Sequence, residues 1–142
     1  GLLFPVPLTF SELGRGHMAR AALEATAYAV RANLEQVESA AGAAATAVAV
    51  GGGMVQTTTW VRILADVLGR ELRVSPAPHV SALGGYACAK KAVGEFGTLE
   101  EAVEPLAGML QTVQPDPVAH MEYQDYYERW TRLQDDLGRM PL

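Results

Sequence analysis

The chain is 142 residues long, 49% hydrophobic and 19% charged, with a net charge of −5. That length suits one domain with a real core, and the balance excludes a disordered chain. The acidic surplus and the lack of any lysine–arginine cluster argue against a nucleic-acid surface, and no apolar run is long enough for a membrane-spanning helix.

The single cysteine, Cys88, excludes a disulfide framework, and in its apolar helical pattern it reads as a buried, inert thiol. His17, His79 and His120 lack the spacing of a metal site, so no metal ligand is assigned. Residues 1–15 lack the charged start and apolar core of a signal peptide, which makes the cytoplasm the default compartment.

In chain order, residues 1–16 read as an irregular lead-in, because Pro5 and Pro7 forbid a regular helix and Gly14 and Gly16 loosen it. From His17 a long helix is expected. Leu23, Ala27, Val30, Leu34, Val37 and Ala41 fall on one stripe, and Gly42 supplies the stop. Thr46–Val50 is short, β-branched and apolar, as a buried strand should be. Gly51-Gly52-Gly53 follow, then a helix from about Thr57 with threonines able to cap it and Trp60, Ile63, Leu64, Val67 and Leu68 facing inward.

Gly69 ends that helix, and Leu72-Arg73-Val74 makes a second brief strand. Ser81 is placed to cap a third helix that packs through Ala82, Leu83, Tyr86, Ala87 and Ala89 until Gly94 and Gly97 break it. Thr98 and Glu101 have capping-box spacing for a fourth helix. The last helix, Val118–Leu137, carries Tyr123, Tyr127 and Trp130 on one face, which reads as packing. Strands alternating with helices say α/β, with two strands serving five helices.

The stretch with chemical promise is Val48–Met54. A strand falling into three glycines and then a helix brings bare backbone to a ligand, with the helix adding free N–H groups and the positive end of its dipole. It is neither a P-loop, since Met54-Val55 stand where Lys and Ser or Thr belong, nor G-x-G-x-x-G, since Gln56 stands where the third glycine belongs. A tight strand-to-helix turn without ligand is the competing reading.

Three stretches in order resemble the C-terminal half of the FGGY family of carbohydrate kinases: His17–Glu24, Gly51–Gly53 through Trp60–Gly69, and Ser81-Ala82-Leu83-Gly84-Gly85. Pro115-Asp116-Pro117 with the tyrosine-rich last helix is also similar to the family's ending. Leu2-Leu3-Phe4-Pro5 is also similar, but the segment that separates it from the His17 motif in the family is absent; a deletion, a missing loop and a divergent short form all fit. The resemblance implies the C-terminal half of an actin-like ATPase (ribonuclease H-like) fold, helix-rich with a small sheet. Residues 1–142 would form the C-terminal nucleotide-binding domain, with 1–16 as an atypical lead-in.

It further implies an ATP-dependent kinase of a sugar or polyol, with a ketopentose such as xylulose first and glycerol, gluconate and ribulose as alternatives. Carried over residue by residue, Gly51, Gly52, Gly53, Met54 and Thr57 would hold the adenosine end of ATP, while Mg²⁺ would be held mostly by the absent N-terminal part. Thr57 and Thr58 stand where relatives carry Ser or Asn, and Arg62 where they carry Gln. No catalytic residue is assigned, since Asp66, Asp116, Asp125, Asp135 and Asp136 do not match the family's base. By itself the chain is expected to be inactive. Its expected partners are ATP and a sugar or polyol bound through the missing lobe, without nucleic acid or membrane, and a homodimer is compatible with this reading. Two other readings stand beside it: a non-catalytic nucleotide-binding module, and an assembly module in which the glycines are only a turn.

Overall fold

The structure, a computed structural model, describes residues 14–107 and 109–139. The expectations for Leu2–Pro5 and Pro7 lie outside them.

Helix α1 spans Arg15–Ala41 and starts earlier than the sequence suggests, so Gly16 is helical. It begins at an extended Gly14, whose carbonyl accepts the His17 N–H at 3.0 Å. It ends at Gly42, φ 67°, a left-handed stop that costs glycine nothing. Leu23, Val30 and Leu34 pack against the core and Ala27 lies within it, but Val37 is 65% exposed. The stripe fails there because α2 ends at Leu68, alongside Arg31 and Leu34, so that among the described residues it does not reach Val37. Tyr28, off the stripe, is buried instead, because aromatic rings of the last helix close over it.

Strand β1 (Ala47–Val50) leads through a 3-10 turn, Gly53–Gln56, to helix α2 (Thr58–Leu68) and strand β2 (Glu71–Val74). Helix α2 is the centre of the molecule. All five residues expected to face inward are buried, and so are Val61 and Ala65. Its wide apolar face packs against α1, α5 and the sheet, while Thr58, Thr59 and Arg62 form a narrow exposed face. Gly69 ends it at φ 62°, where the His120 ring fills the space a Cβ would need.

The sheet has three strands in the order β1-β2-β3, not two. Strands β1 and β2 run parallel, with Val48 opposite Leu72 and Val50 opposite Val74. Strand β3 (Gln111–Val113) runs antiparallel to β2. It escapes a sequence reading because only three residues form it and only Val113 is half-buried, so its edges carry no alternating pattern. Leu72 and Val74 point into the core while Arg73 between them faces out, as a two-residue period requires.

Helices α3 (Val80–Ala92) and α4 (Leu99–Ala107) form a hairpin beside this body. His79, not Ser81, holds the N-cap position of α3. Of its expected packing residues only Ala87 is buried; Tyr86 is 54% exposed and Cys88 is exposed, not buried. The cause is tertiary: α3 packs chiefly on α4, and among the described residues none of either helix belongs to the main core cluster. Gly94, φ 78°, follows α3. The Thr98–Glu101 capping box forms, with the Glu101 N–H donating to Thr98 Oγ1 at 3.2 Å.

Helix α5 (Pro117–Gly138) opens with proline just inside it and with Asp116 Oδ1 accepting the Val118 N–H at 2.8 Å. Tyr123 and Tyr127 are buried and Trp130 half-buried, packed around Tyr28 at ring separations of 6.2, 6.0 and 6.0 Å, so the expected aromatic face is indeed packing. Polar links fasten its edge to α1. Tyr123 donates to Glu24 at 2.9 Å, Tyr127 donates to Glu35 at 2.7 Å, and the Arg31 guanidinium lies 4.0 Å above the Tyr127 ring. Burial, aided by those carboxylates, pushes the phenols of Tyr123 and Tyr127 up to about 12.

Candidate functional site

The three glycines meet three different demands. At Gly51 the constraint is space: a Cβ would lie 2.9 and 3.1 Å from the two methyls of Val80 and 3.5 Å from Ser75 Cβ. At Gly52 it is conformation, with φ 109° and ψ −173°, a region that side chains rarely enter. At Gly53 there is neither. Its φ is not positive, nothing among the described residues lies within 4 Å of the Cβ position, and the residue is exposed. The fold therefore requires glycine at the first two positions and leaves the third as open, bare backbone.

The turn is anchored from behind. The Val50 carbonyl accepts the Ser75 N–H at 2.9 Å, extending the β1–β2 ladder to the edge of the glycines. Val55 on the 3-10 turn is buried in the core, while Met54 before it is 45% exposed. Thr57 sits at the N-cap of α2 with its carbonyl accepting from Trp60 N at 3.0 Å and Val61 N at 3.2 Å. The expected side-chain cap does not form, since Thr57 Oγ1 makes no bond to the helix. Among the described residues its hydroxyl has no partner and no side chain seals the start of α2, which carries the positive end of the helix dipole.

Gly51, Gly52, Gly53, Met54 and Thr57 are thus parts of one turn with one rigid base. It offers flat backbone, a thioether and a hydroxyl at a helix start. That set suits an uncharged planar group with a polar edge, because no lysine or arginine lies between Val50 and Thr59 to clamp phosphates. Among the described residues no group of three or more His, Cys, Asp or Glu is placed to hold a metal ion. Val80 and Ser75, which form the back of the turn, gave no signal in the sequence: neither lies in a motif, and only the return of the chain through β2 brings them there.

The aspartates are structural where they are bonded. Asp66 Oδ1 accepts the Asp116 N–H at 2.8 Å, and the Asp66 carbonyl accepts from His120 Nδ1 at 2.7 Å. Gln124 Nε2 lies 3.0 Å from the other His120 nitrogen, so both ring nitrogens have polar partners. Asp125, Asp135 and Asp136 are exposed on α5. A separate open groove between α1, α2 and α5, lined by Arg20, Thr59, Arg62, Tyr123, Tyr126 and Trp130, contains none of the five turn residues.

Residues 5–93 match the model of the FGGY family of carbohydrate kinases, C-terminal domain. The chain is 38% identical over 89 residues to the glycerol kinase of Chloroflexus aggregans, covering 63% of this chain and 18% of that protein. It is 34% identical over 119 residues to the autoinducer-2 kinase of Escherichia coli strain K12, covering 82% of this chain and 22% of that one. The crystal structure of xylulose kinase from Rhodospirillum rubrum superposes with a TM-score of 0.70 at 26% identity, over 94% of this chain and 27% of that chain. Plasmodium falciparum glycerol kinase, solved with ADP, superposes with a TM-score of 0.71 at 20% identity, over 96% and 27%, a likeness of fold. The fold is the C-terminal part of an actin-like ATPase, helix-rich with a small sheet. The chain spans about a fifth of the length of the curated relatives it matches.

Proposed function

Because the chain belongs to the FGGY family of carbohydrate kinases, we propose that residues 1–142 form the C-terminal domain of an ATP-dependent sugar or polyol kinase and hold the nucleotide. In this reading the adenosine end lies on Gly52 and Gly53, with Met54 against its apolar face and Thr57 bonding its polar edge; Gly51 shapes the turn. The observation that carries it is the bare Gly53, which the fold itself does not require, beside an unsealed helix start within the matched segment.

The chain's own contribution is positional. A rigid base holds the turn while the exposed backbone and the Thr57 hydroxyl orient the bound group; ATP supplies the γ-phosphoryl for transfer to a hydroxyl. The base that activates that hydroxyl, the phosphate clamp and the Mg²⁺ ligands are assigned to the part of the parent protein outside this chain. A ketopentose such as xylulose remains the first substrate to test, with glycerol and autoinducer-2 beside it because kinases of both are relatives. The compartment proposed is the cytoplasm, where ATP is plentiful.

Calorimetry of Mg-ATP with the chain tests this reading. Saturable binding is expected, abolished in a folded Gly53→Asp variant. No binding by the wild type, or unchanged binding by the variant, refutes it. A non-catalytic nucleotide module is the second reading, favoured by the structural use of Asp66 and Asp116. Repeated turnover by the isolated chain would exclude it.

A further inference from the structure

We propose that Val80 is a positioning residue for the glycine turn, linking the α3–α4 hairpin to the nucleotide site; the link to nucleotide rests on the function proposed above. Three observations carry it. The Val80 methyls sit directly on the Gly51 backbone, so close that a Cβ there would be 2.9 Å from one of them. The hairpin that carries Val80 buries Ala87 and Ala102 apart from the main core cluster, so it is a distinct packing unit. The segment between them is short and braced: Ser75 N–H bonds the Val50 carbonyl at 2.9 Å, and Ser75 Oγ accepts the Ala77 N–H at 3.3 Å.

The physical consequence is a clamp. Gly52 holds a backbone conformation at φ 109° that has to be imposed by its surroundings. On one side the β1–β2 ladder fixes the chain up to Val50. On the other, Val55 anchors the 3-10 turn in the core. Between these anchors, Gly51 is pressed by a branched side chain at the start of α3. Interiors and tight contacts transmit such displacements because they are close-packed. A shift of the hairpin therefore reaches the turn through Val80, and the absence of a Cβ on Gly51 is what permits the contact.

The test uses the full chain as wild type, Val80→Ala, Val80→Thr, Gly51→Ala and Gly51→Ala/Val80→Ala. Amide hydrogen exchange at residues 51–56 is read without nucleotide, and Mg-ATP affinity is read separately. Val80→Ala is expected to speed exchange at 51–56 at least fivefold and to weaken binding at least fivefold, while α1, α2 and α5 keep their protection. Val80→Thr, which keeps the branched shape, is expected to match wild type in both. Gly51→Ala is expected to perturb the turn more by itself than together with Val80→Ala, because the second change vacates the space the first needs. Unchanged exchange in Val80→Ala, or additive effects in the double variant, overturns the clamp even if nucleotide binds. Coupled exchange in a chain that binds no Mg-ATP upholds the clamp and refutes the nucleotide reading instead.

Discussion

Gly53→Ala separates a binding platform from a turn. Gly53 has no positive φ, and a methyl there meets nothing within 4 Å. Replacing glycine by alanine at a compatible position stabilises by about 0.4–1 kcal/mol, through lost freedom of the unfolded chain. For a domain of this size that raises the melting temperature by roughly 1–3 °C. A planar group resting on the bare backbone occupies the same volume as the new methyl, so affinity for Mg-ATP is expected to fall at least tenfold, about 1.4 kcal/mol. The two effects have opposite signs, which a general loss of structure cannot produce. Gly52→Ala is the contrast: its φ of 109° makes any side chain strained, at about 1–3 kcal/mol, so stability should fall although its Cβ also meets nothing. Thermal melts and calorimetry on the same preparations give both readings. Affinity unchanged within twofold in a folded Gly53→Ala refutes the platform, and failure of that variant to fold refutes the conformational argument.

Leu64 is 1% exposed on the buried face of α2, so Leu64→Ala should cost about 2–5 kcal/mol in urea unfolding. Asp116→Ala removes the acceptor that caps α5 and should cost about 1 kcal/mol in the same measurement, whereas Asp116→Ser or Asn should recover most of it. Glu38 is held below the usual carboxylate range by Arg70 and by the Ala45 N–H. A depressed folded value adds stability that is present above the unfolded value and lost as pH falls through the folded one. The unfolding midpoints of wild type and Glu38→Gln should therefore differ at neutral pH and converge below the ordinary glutamate range; a constant gap would contradict the pairing.

Much of the fold was legible because it is written locally. The apolar period over α1, the left-handed stops at Gly42 and Gly69, the Thr98–Glu101 box and the aromatic face of α5 are properties of residues a few positions apart. The same holds for the glycine turn, since three glycines between a strand and a helix open backbone conformations that other residues avoid before any partner arrives. The interruptions were also local in origin but decided elsewhere. Helix α3 has the composition of a packed helix, yet Tyr86 and Cys88 are exposed because, among the described residues, no third layer covers the hairpin.

Tertiary structure alone decided what depends on contacts between distant segments. Strand β3 exists because β2 offers it an edge, not because Gln111-Thr112-Val113 has a pattern of its own. Tyr28 is buried because α5 brings Tyr123, Tyr127 and Trp130 to it. At the candidate site, the sequence marked the run of glycines but could not say that each is there for a different reason. Gly51 is set by Val80, Gly52 by its dihedral angle, and Gly53 by nothing among the described residues. Conformational preference acts over neighbouring bonds and can be read in one dimension; steric closeness is fixed only when parallel strands bring the ends of β1 and β2 together beneath α3.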